Sequence, residues 1–464
     1  MCNFSELKHQ QGLCILIAML FSAFLSGCSS SSEDSDSPVI SDPASSTVSE
    51  SGVIDLDLAY DPDGSIVRTD IVQVAGSAAQ LQDQSSLTFL APSVSENETL
   101  VFEVSATDNS GKTTTKRVSI TVVANPSLDS AEFSDAQLTA CFDENRTENS
   151  SSSEPWEDLY DVQILDCIGY TVADLDGVED LSGLQNLYLG DEDNATTLSD
   201  LQPLANLTNL KSLYLYNNQV TDISLLSGLG NLNTLHLLNV PLDSYDPIAG
   251  IQELAFLHIV DMPIENLDFL AGQTQLKSLF LDNNDLDDIS VLANLTELEG
   301  LRLHRNSVTD LNALLGLSKL ETLKITEVPL TDISAVSSLD ALILLKLERT
   351  NVVDLSALSD LENLAQLSLG RSPITDLSSL RAIHSLNDLV YIELDVTDFS
   401  TLPLLTQLST LSFAEDEITD FSVLDELGYL DSLELKLPAS FDCADLTALR
   451  SRLAQTTVIA DFDC

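Results

Sequence analysis

One apolar position recurs at a fixed interval through most of the chain, and this period limits the possible folds more than any other feature. The recurring residues are Leu215, Leu237, Ile259, Leu281, Leu303, Ile325, Leu347, Leu369, Tyr391, Phe413 and Leu435, so ten consecutive intervals are each 22 residues. Cys167 and Leu189 are also 22 residues apart, and a four-residue insertion near GDEDNATT lengthens the next step to 26. Such a period predicts a solenoid of stacked units with one strand in each, or about 13 strands.

Each unit carries a regular order of leucines. In LTNLKSLYLYNNQVTDISLLSGL, residues 207–229, the order LxxLxLxxN resembles that of leucine-rich repeats. The 22-residue period with TDIxxLxxL resembles the internalin-like class of bacterial surface proteins over residues 167–437. This resemblance implies a solenoid with short parallel β-strands on its concave face, and a role in adhesion or partner capture. One unit cannot bury its leucines alone, so stacking creates the core.

The N-terminus has the layout of a secretory signal. Residues 11–26 form an apolar run that is too short to span a bilayer. The letters LSGC at 25–28 resemble the lipobox of bacterial lipoproteins, which implies removal of residues 1–27 and acylation of Cys28; an ordinary cleaved signal is the alternative. Ser29 follows the acylated position in place of Asp. By the enterobacterial sorting rule, this resemblance implies an outer-membrane lipoprotein, at the cell surface or on the periplasmic side.

Two segments of different composition precede the repeats. Residues 28–47 are rich in Ser, Asp and Pro, which predicts a disordered tether. Residues 48–124 alternate short apolar segments with DPDG and DNSG turns, which is typical of a small all-β sandwich. The order of these pieces resembles the PKD-like immunoglobulin fold of bacterial surface proteins, which implies a spacer or a weak glycan or protein contact. Asp61, Asp63 and Asp108 are turn formers or, alternatively, oxygen ligands for calcium.

Both ends of the array break the period. We predict a linker and N-terminal cap over 125–166 and a C-terminal cap over 438–464, because an open solenoid must cover its terminal leucines. Apart from the signal and the lipidation position, four cysteines remain, an even number for an oxidising compartment. Because each pair brackets one end of the array, we predict the disulfides Cys141 with Cys167 and Cys443 with Cys464. Zinc is the alternative, although no CxxC pair is present.

Two polar columns of the solenoid have structural explanations. The first column contains Asn218, Asn284 and Asn306, at the position where leucine-rich proteins use asparagine to bond turn backbone groups. The second column contains Asp222, Asp288, Asp310, Asp332, Asp354, Asp376, Asp398 and Asp420. Each Asp precedes an apolar turn, so we expect it to cap backbone donors locally. Calcium binding by stacked carboxylates is the alternative.

Two further columns lie on the concave face, where side chains that alternate with the core leucines point outward. In one column opposite charges mostly face each other across strands, which predicts a ladder of ion pairs through Arg305, Glu327, Arg349, Arg371 and Glu393. The other column is here called the concave stripe and consists of Tyr214, His236, His258, Phe280, Arg302, Lys324 and Lys346. Aromatic and Arg-rich surfaces are typical of protein interfaces, so we predict that this stripe binds a ligand. The alternatives are a mixed solvated face and a metal site on the two histidines.

The composition excludes several classes of function. A net charge of −55 repels nucleic acid and anionic membrane surfaces. No nucleophile elbow, phosphate-binding glycine loop or HExxH motif is present in the sequence, so we expect neither an enzyme nor a cofactor. The sequence therefore predicts a monomeric, envelope-anchored binding protein for a protein or glycan ligand with acidic groups. The alternatives are a periplasmic scaffold for an envelope protein and a glycan-binding accessory protein.

Overall fold

A computed structural model describes residues 36–460 except for 51, 84–86, 95, 154, 192, 395, 397, 415–420, 428 and 436–442. The predicted signal and the lipidation position Cys28 lie outside the described residues. The chain forms two compact units, Met1–Asn125 and Pro126–Cys464. In the described part of the chain, no helix is both long and apolar enough to cross a membrane.

The first unit is built from short strands. They are β1 (Val39–Ile40), β2 (Thr47–Ser49), β3 (Val53–Asp55), β4 (Ala59–Tyr60), β5 (Ile66–Ala75), β6 (Gln80–Asp83), β7 (Thr88–Leu90), β8 (Glu98–Asp108) and β9 (Thr113–Val123). They form a four-stranded sheet in the order β2-β9-β8-β5, a three-stranded sheet in the order β3-β7-β6, and the pair β1-β4. Alternate residues of β8, including Leu100, Phe102 and Val104, are fully buried. The predicted all-β sandwich is therefore confirmed.

The strands of this unit begin before residue 48, its predicted start. Strand β1 lies within the segment 28–47 that was expected to be a disordered tether, and it pairs antiparallel with β4 through Val39 and Tyr60. Ile40 is 6% exposed and joins the core of the sandwich. This burial explains why a strand forms in a segment that was predicted to be disordered, because a single large apolar side chain can fix the end of a polar segment.

The second unit is a solenoid whose parallel strands follow one another in chain order. They are β10 (Ile164–Ile168), β11 (Asn186–Gly190), β12 (Ser212–Tyr216), β13 (Thr234–Leu238), β14 (Phe256–Val260), β15 (Ser278–Asp282), β16 (Gly300–His304), β17 (Thr322–Thr326), β18 (Leu344–Glu348), β19 (Gln366–Gly370), β20 (Asp388–Ile392), β21 (Thr410–Ala414) and β22 (Ser432–Leu435). These are the 13 predicted strands. A fourteenth strand, β23 (Thr457–Ala460), comes from the C-terminal segment and pairs with β22.

The core of the solenoid is a continuous stack of leucines. In each strand the recurring apolar residue and the residue two positions before it point inward; Leu213 and Leu215, for example, are fully buried. The return segments contain short 3-10 helices at Val178–Asp180, Gln202–Leu204, Ser224–Gly228, Asp246–Gly250, Asp268–Leu270, Ser290–Asn294, Asn312–Leu314, Ser334–Ser338, Ser356–Leu358, Ser378–Ala382, Leu402–Leu404 and Phe421–Glu426. Two further 3-10 helices, Leu128–Ser130 and Leu159–Asp161, precede the first strand of the solenoid. Stacking of these units buries the leucine side chains, which no single unit could bury alone.

The aspartate column caps the return segments, as predicted. In each case one carboxylate oxygen accepts a hydrogen bond of 2.7 to 2.9 Å from the backbone N–H two residues later. The residues are Asp222, Asp288, Asp310, Asp332, Asp354, Asp376 and Asp398, while Asp420 lies outside the described residues. These bonds hold the pKa of Asp332, among others, below its usual range.

Helices cover both ends of the solenoid. Helix α1 (Ala136–Asn149) carries Cys141, whose predicted disulfide with Cys167 is present with a Cα to Cα distance of 5.4 Å. Helix α2 (Cys443–Arg452) buries Leu446 and Leu449 at the other end. The second predicted disulfide, between Cys443 and Cys464, includes a residue outside the described part of the chain and stays a prediction.

Candidate functional site

The parallel register aligns the concave stripe as a single row. Tyr214 is the strand partner of His236, and the same one-to-one pairing continues through each following strand to Lys324 and Lys346. The side chains of this row point away from the core because the residues on either side of each are the buried leucines or isoleucines. The structure therefore brings all seven predicted residues of the concave stripe together.

The first half of the row is a stack of rings. Tyr188 stacks on Tyr214 with ring centroids 4.4 Å apart, and His258 stacks on Phe280 at 4.0 Å with an interplanar angle of 9°. His236 lies edge-on between the two stacks. Tyr188 was not among the residues predicted for the stripe, because the insertion after Leu189 breaks the 22-residue spacing. Its register with Tyr214 shows that the row begins one strand earlier.

The two histidines are held by hydrogen bonds as well as by ring contacts. Tyr216 Oη lies 2.9 Å from His236 Nδ1, and His236 Nε2 lies 3.2 Å from His258 Nδ1. Burial lowers the pKa of His236 to about 4, with smaller contributions from His258 and Arg302. Burial and Arg302 lower the pKa of His258 to about 4 as well. At neutral pH both rings are therefore uncharged, and the first half of the stripe is an uncharged aromatic surface.

The second half of the row consists of three cations with different surroundings. Arg302 forms an ion pair of 2.5 Å with the buried carboxylate of Asp282 and places its guanidinium 5.5 Å from the centre of the Phe280 ring. Lys346 pairs with Glu348 at 2.9 Å. Lys324, which lies between them, has no ion pair or side-chain hydrogen bond with any residue that the structure describes. The neighbouring column thus neutralises two of the three cations and leaves the central one without a carboxylate.

The predicted ladder of ion pairs is present along the edge of the sheet. Arg305 pairs with Glu327 at 2.8 Å, Arg349 reaches the same Glu327 at 3.4 Å, and Arg371 pairs with Glu393 at 2.7 Å. All five residues have a positive φ between 47° and 57°, as do the residues at the same position of the preceding four units. This backbone conformation could not be predicted from the sequence, because Arg and Glu are not residue types that favour it.

The structure also bears on the metal hypotheses. Within the described ranges, no three His, Cys, Asp or Glu side chains come together in an arrangement that could hold a metal ion. The turn carboxylate Asp108 accepts hydrogen bonds of 2.8 and 2.9 Å from the backbone of Ser110 and Lys112. This residue therefore performs the predicted turn function. His236 and His258 use their facing nitrogens on each other.

Family models match both units. The bacterial Ig domain model matches residues 35–121, and the model of two leucine-rich repeats matches residues 208–250. No curated protein sequence is significantly similar to the chain. The first unit thus has a bacterial immunoglobulin-like fold, and the second is a leucine-rich repeat solenoid.

Solved structures similar to the chain include proteins of two bacteria. The crystal structure of an internalin (inlF) from Listeria monocytogenes is 27% identical, covers 73% of this chain and 98% of its own, and gives a TM-score of 0.58. The functional domain of InlJ from the same species is 20% identical over 71% of this chain and 74% of its own, with a TM-score of 0.48. A leucine-rich repeat protein of Leptospira interrogans is 19% identical over 66% and 96%, with a TM-score of 0.47.

Proposed function

We propose that the protein is a cell-envelope binding protein that recognises a protein ligand through its concave stripe, in adhesion or partner capture. The single observation that carries this proposal is the half-buried row of stacked rings that continues, beyond Arg302, to Lys324, a cation without a carboxylate partner among the described residues. An unpaired cation between two other cations costs stability, so its presence favours a role outside the fold.

The composition and the length of the row fit a protein ligand. Tyr and Arg side chains on a rigid surface dominate the binding energy of protein interfaces, and both types are present here. From Tyr188 to Lys346 the row crosses eight strands, which corresponds to about 34 Å at the usual strand spacing. This length matches an interface with a folded partner. Leucine-rich repeat and immunoglobulin-like folds are typically binding or scaffold domains, which also favours binding over catalysis.

The envelope location is part of the proposal and rests on the lipobox-like letters at 25–28. Acylation of Cys28 would anchor the chain in the outer membrane, and the immunoglobulin-like unit would serve as a spacer. We expect the Cys28→Ser variant to move from the membrane fraction to the soluble fraction. Protease treatment of intact cells then separates two locations: loss of the solenoid places it at the surface, whereas survival until the outer membrane is opened favours the periplasmic scaffold.

The binding role is tested by the rings. In the Tyr214→Ser/Phe280→Ser variant the core leucines are untouched, so the far-ultraviolet circular dichroism should be that of the wild type. Capture of surface proteins from target cells, identified by mass spectrometry, should be lost in this variant. Tyr160→Ser is the matched control, because this exposed aromatic side chain lies in the N-terminal cap. If the wild type, the Tyr214→Ser/Phe280→Ser variant and the Tyr160→Ser variant all capture the same proteins, a binding role for the stripe is contradicted.

A further inference from the structure

The charges of the concave face form a small basic island in a strongly acidic protein. Six cations lie there, in the stripe and along the edge ladder, namely Arg302, Lys324, Lys346, Arg305, Arg349 and Arg371. Among the described residues, only four carboxylates, those of Asp282, Glu348, Glu327 and Glu393, pair with them. Arg305 and Arg349 share one of these, and Lys324 has none. This region therefore has a local excess of two positive charges, whereas the whole chain is strongly acidic, with 74 acidic side chains.

We infer that Lys324 receives a carboxylate side chain of the partner protein, and that an apolar side chain beside this carboxylate covers Phe280. This inference rests on the proposed function and specifies the chemistry of the partner. Lys324 is paired in register with Arg302 and Lys346 on the neighbouring strands, so its ammonium lies between two other cationic side chains. Like charges at this spacing repel, and an incoming carboxylate removes the repulsion.

The neighbouring cations cannot take the same role without a cost. Arg302 neutralises Asp282, whose side chain is only 3% exposed, and Lys346 neutralises Glu348, whose side chain is 14% exposed. Either cation would have to leave a largely buried carboxylate to reach a ligand, which is unfavourable. Lys324 can bind a carboxylate without breaking any contact that the structure shows. Its position one strand from Arg302 also places it near the cation-π pair of Arg302 and Phe280.

The charge of the whole chain limits the kind of partner further. A net charge of −55 repels a polyanion at long range, so a nucleic acid, a polyphosphate or a second copy of this chain is disfavoured. The favoured partner is a protein of basic net charge that displays a local Asp or Glu beside an aromatic or aliphatic side chain. It is attracted by the acidic chain as a whole and fits the basic island locally.

The experiment selects ligands of the protein from random sequences. A 12-residue peptide library on phage is bound to the immobilised full-length protein, and bound phage are eluted with an excess of the same wild-type protein in solution. We expect the recovered peptides to be enriched in Asp or Glu next to an aromatic or aliphatic residue. For a synthetic copy of such a peptide, Lys324→Gln should weaken binding roughly tenfold, which is the usual effect of losing one charge-assisted hydrogen bond. Replacement of the peptide carboxylate by its amide should weaken binding equally, and the two changes together should do little more.

The control and the contrary outcomes separate this inference from the proposed function. Lys319→Gln is the matched variant, because Lys319 pairs with Glu297 outside the stripe, and it should leave the affinity unchanged. Peptides that are lost on Phe280→Ser but lack acidic residues and tolerate Lys324→Gln would overturn the carboxylate inference alone. If Phe280→Ser does not weaken the binding of any recovered peptide, the proposed function is contradicted as well. Self-association of the wild type that Lys324→Gln abolishes would identify a second copy as the occupant and overturn the inference.

Discussion

His236 and His258 share a hydrogen bond, with Nε2 of the first ring 3.2 Å from Nδ1 of the second. Such a bond needs one nitrogen that carries a proton and one that does not, so it is lost when both rings become charged. Tyr216 Oη at 2.9 Å from His236 Nδ1 fixes the other side of the pair. The hydrogen bond within the ring stack of the concave stripe therefore requires at least one neutral imidazole.

This pair predicts a loss of stability in mild acid. The pKa of each histidine is lowered to about 4 in the folded state, whereas the usual value applies to the unfolded chain. Between pH 6.5 and pH 4 the unfolded state binds more protons, so the free energy of unfolding falls as the pH falls through this window. We expect about 1 kcal/mol per histidine between pH 7 and pH 5, after discounting for the solvent exposure of these half-buried rings.

The measurement compares urea unfolding of the wild type and of His236→Gln/His258→Gln at pH 7 and pH 5. Carboxylates titrate in both proteins, so only the difference between the two pH dependences reports on the histidines. The double variant should lose less stability on acidification than the wild type does. Equal losses would show that the two rings are not held neutral by the fold.

Lys324 and Arg302 should respond in opposite ways to loss of charge. Lys324→Gln removes a cation that repels its neighbours and has no partner among the described residues, so stability should stay the same or rise by up to about 0.5 kcal/mol. Arg302→Met leaves the buried Asp282 carboxylate with one backbone contact, from the N–H of His304 at 3.3 Å. We expect a loss of about 2 kcal/mol. Urea unfolding at pH 7 checks both values, and a destabilised Lys324→Gln would argue that this lysine is structural.

The solenoid could be predicted from the sequence because its period can be counted directly along the chain. Each repeat places a leucine at a fixed separation, so strand positions such as Leu281 and Leu303 follow by counting. The stripe was predictable for the same reason, since the side-chain alternation of a strand fixes which residues face outward. Tyr188 was not predicted, because an insertion disturbs the count. Strand β23 was not predicted either, because it has no repeat signature and forms only where the last repeat leaves an open sheet edge.

Contacts between columns were harder to predict than the columns themselves. The possibility that Asp282 and Glu348 relieve the cations is visible in the sequence, but which of the three cations remains without a carboxylate is decided by side-chain reach. In the next column, the residue on the same strand as Lys324 is Thr326. Lys346 has Glu348 at this position of its own strand, and Arg302 reaches Asp282 on the preceding strand. A threonine cannot neutralise a lysine. This difference of one residue creates the candidate site.

The edge ladder predicts an unusual substitution pattern at Arg349. Its φ of 51° lies in the left-handed region, which Asn tolerates and which β-branched residues do not. Because its ion pair with Glu327 is long, at 3.4 Å, the backbone conformation should dominate the effect of substitution. Arg349→Asn should change the free energy of unfolding by less than about 0.5 kcal/mol, and Arg349→Val should reduce it by about 1 to 2 kcal/mol. Equal stability of the two variants would contradict the conformational argument.

The hydrogen bonds of Asn306 predict a large loss of stability when its side chain is shortened to that of alanine. Asn306 is 5% exposed; its Oδ1 accepts hydrogen bonds from the N–H groups of Asn284 and Leu286, and its Nδ2 donates to the carbonyls of Leu281 and His304. Asn306→Ala removes the partner of the buried N–H groups of Asn284 and Leu286 in the preceding repeat, whereas the His304 carbonyl keeps its bond from the N–H of Asn283 at 2.7 Å. We expect a loss of about 3 kcal/mol. Thermal and urea unfolding measure this loss. Asn312→Ala is the control, because Asn312 is exposed and its side chain contacts only Asp310 among the described residues. If both variants cost the same, the buried asparagine does not hold adjacent turns together.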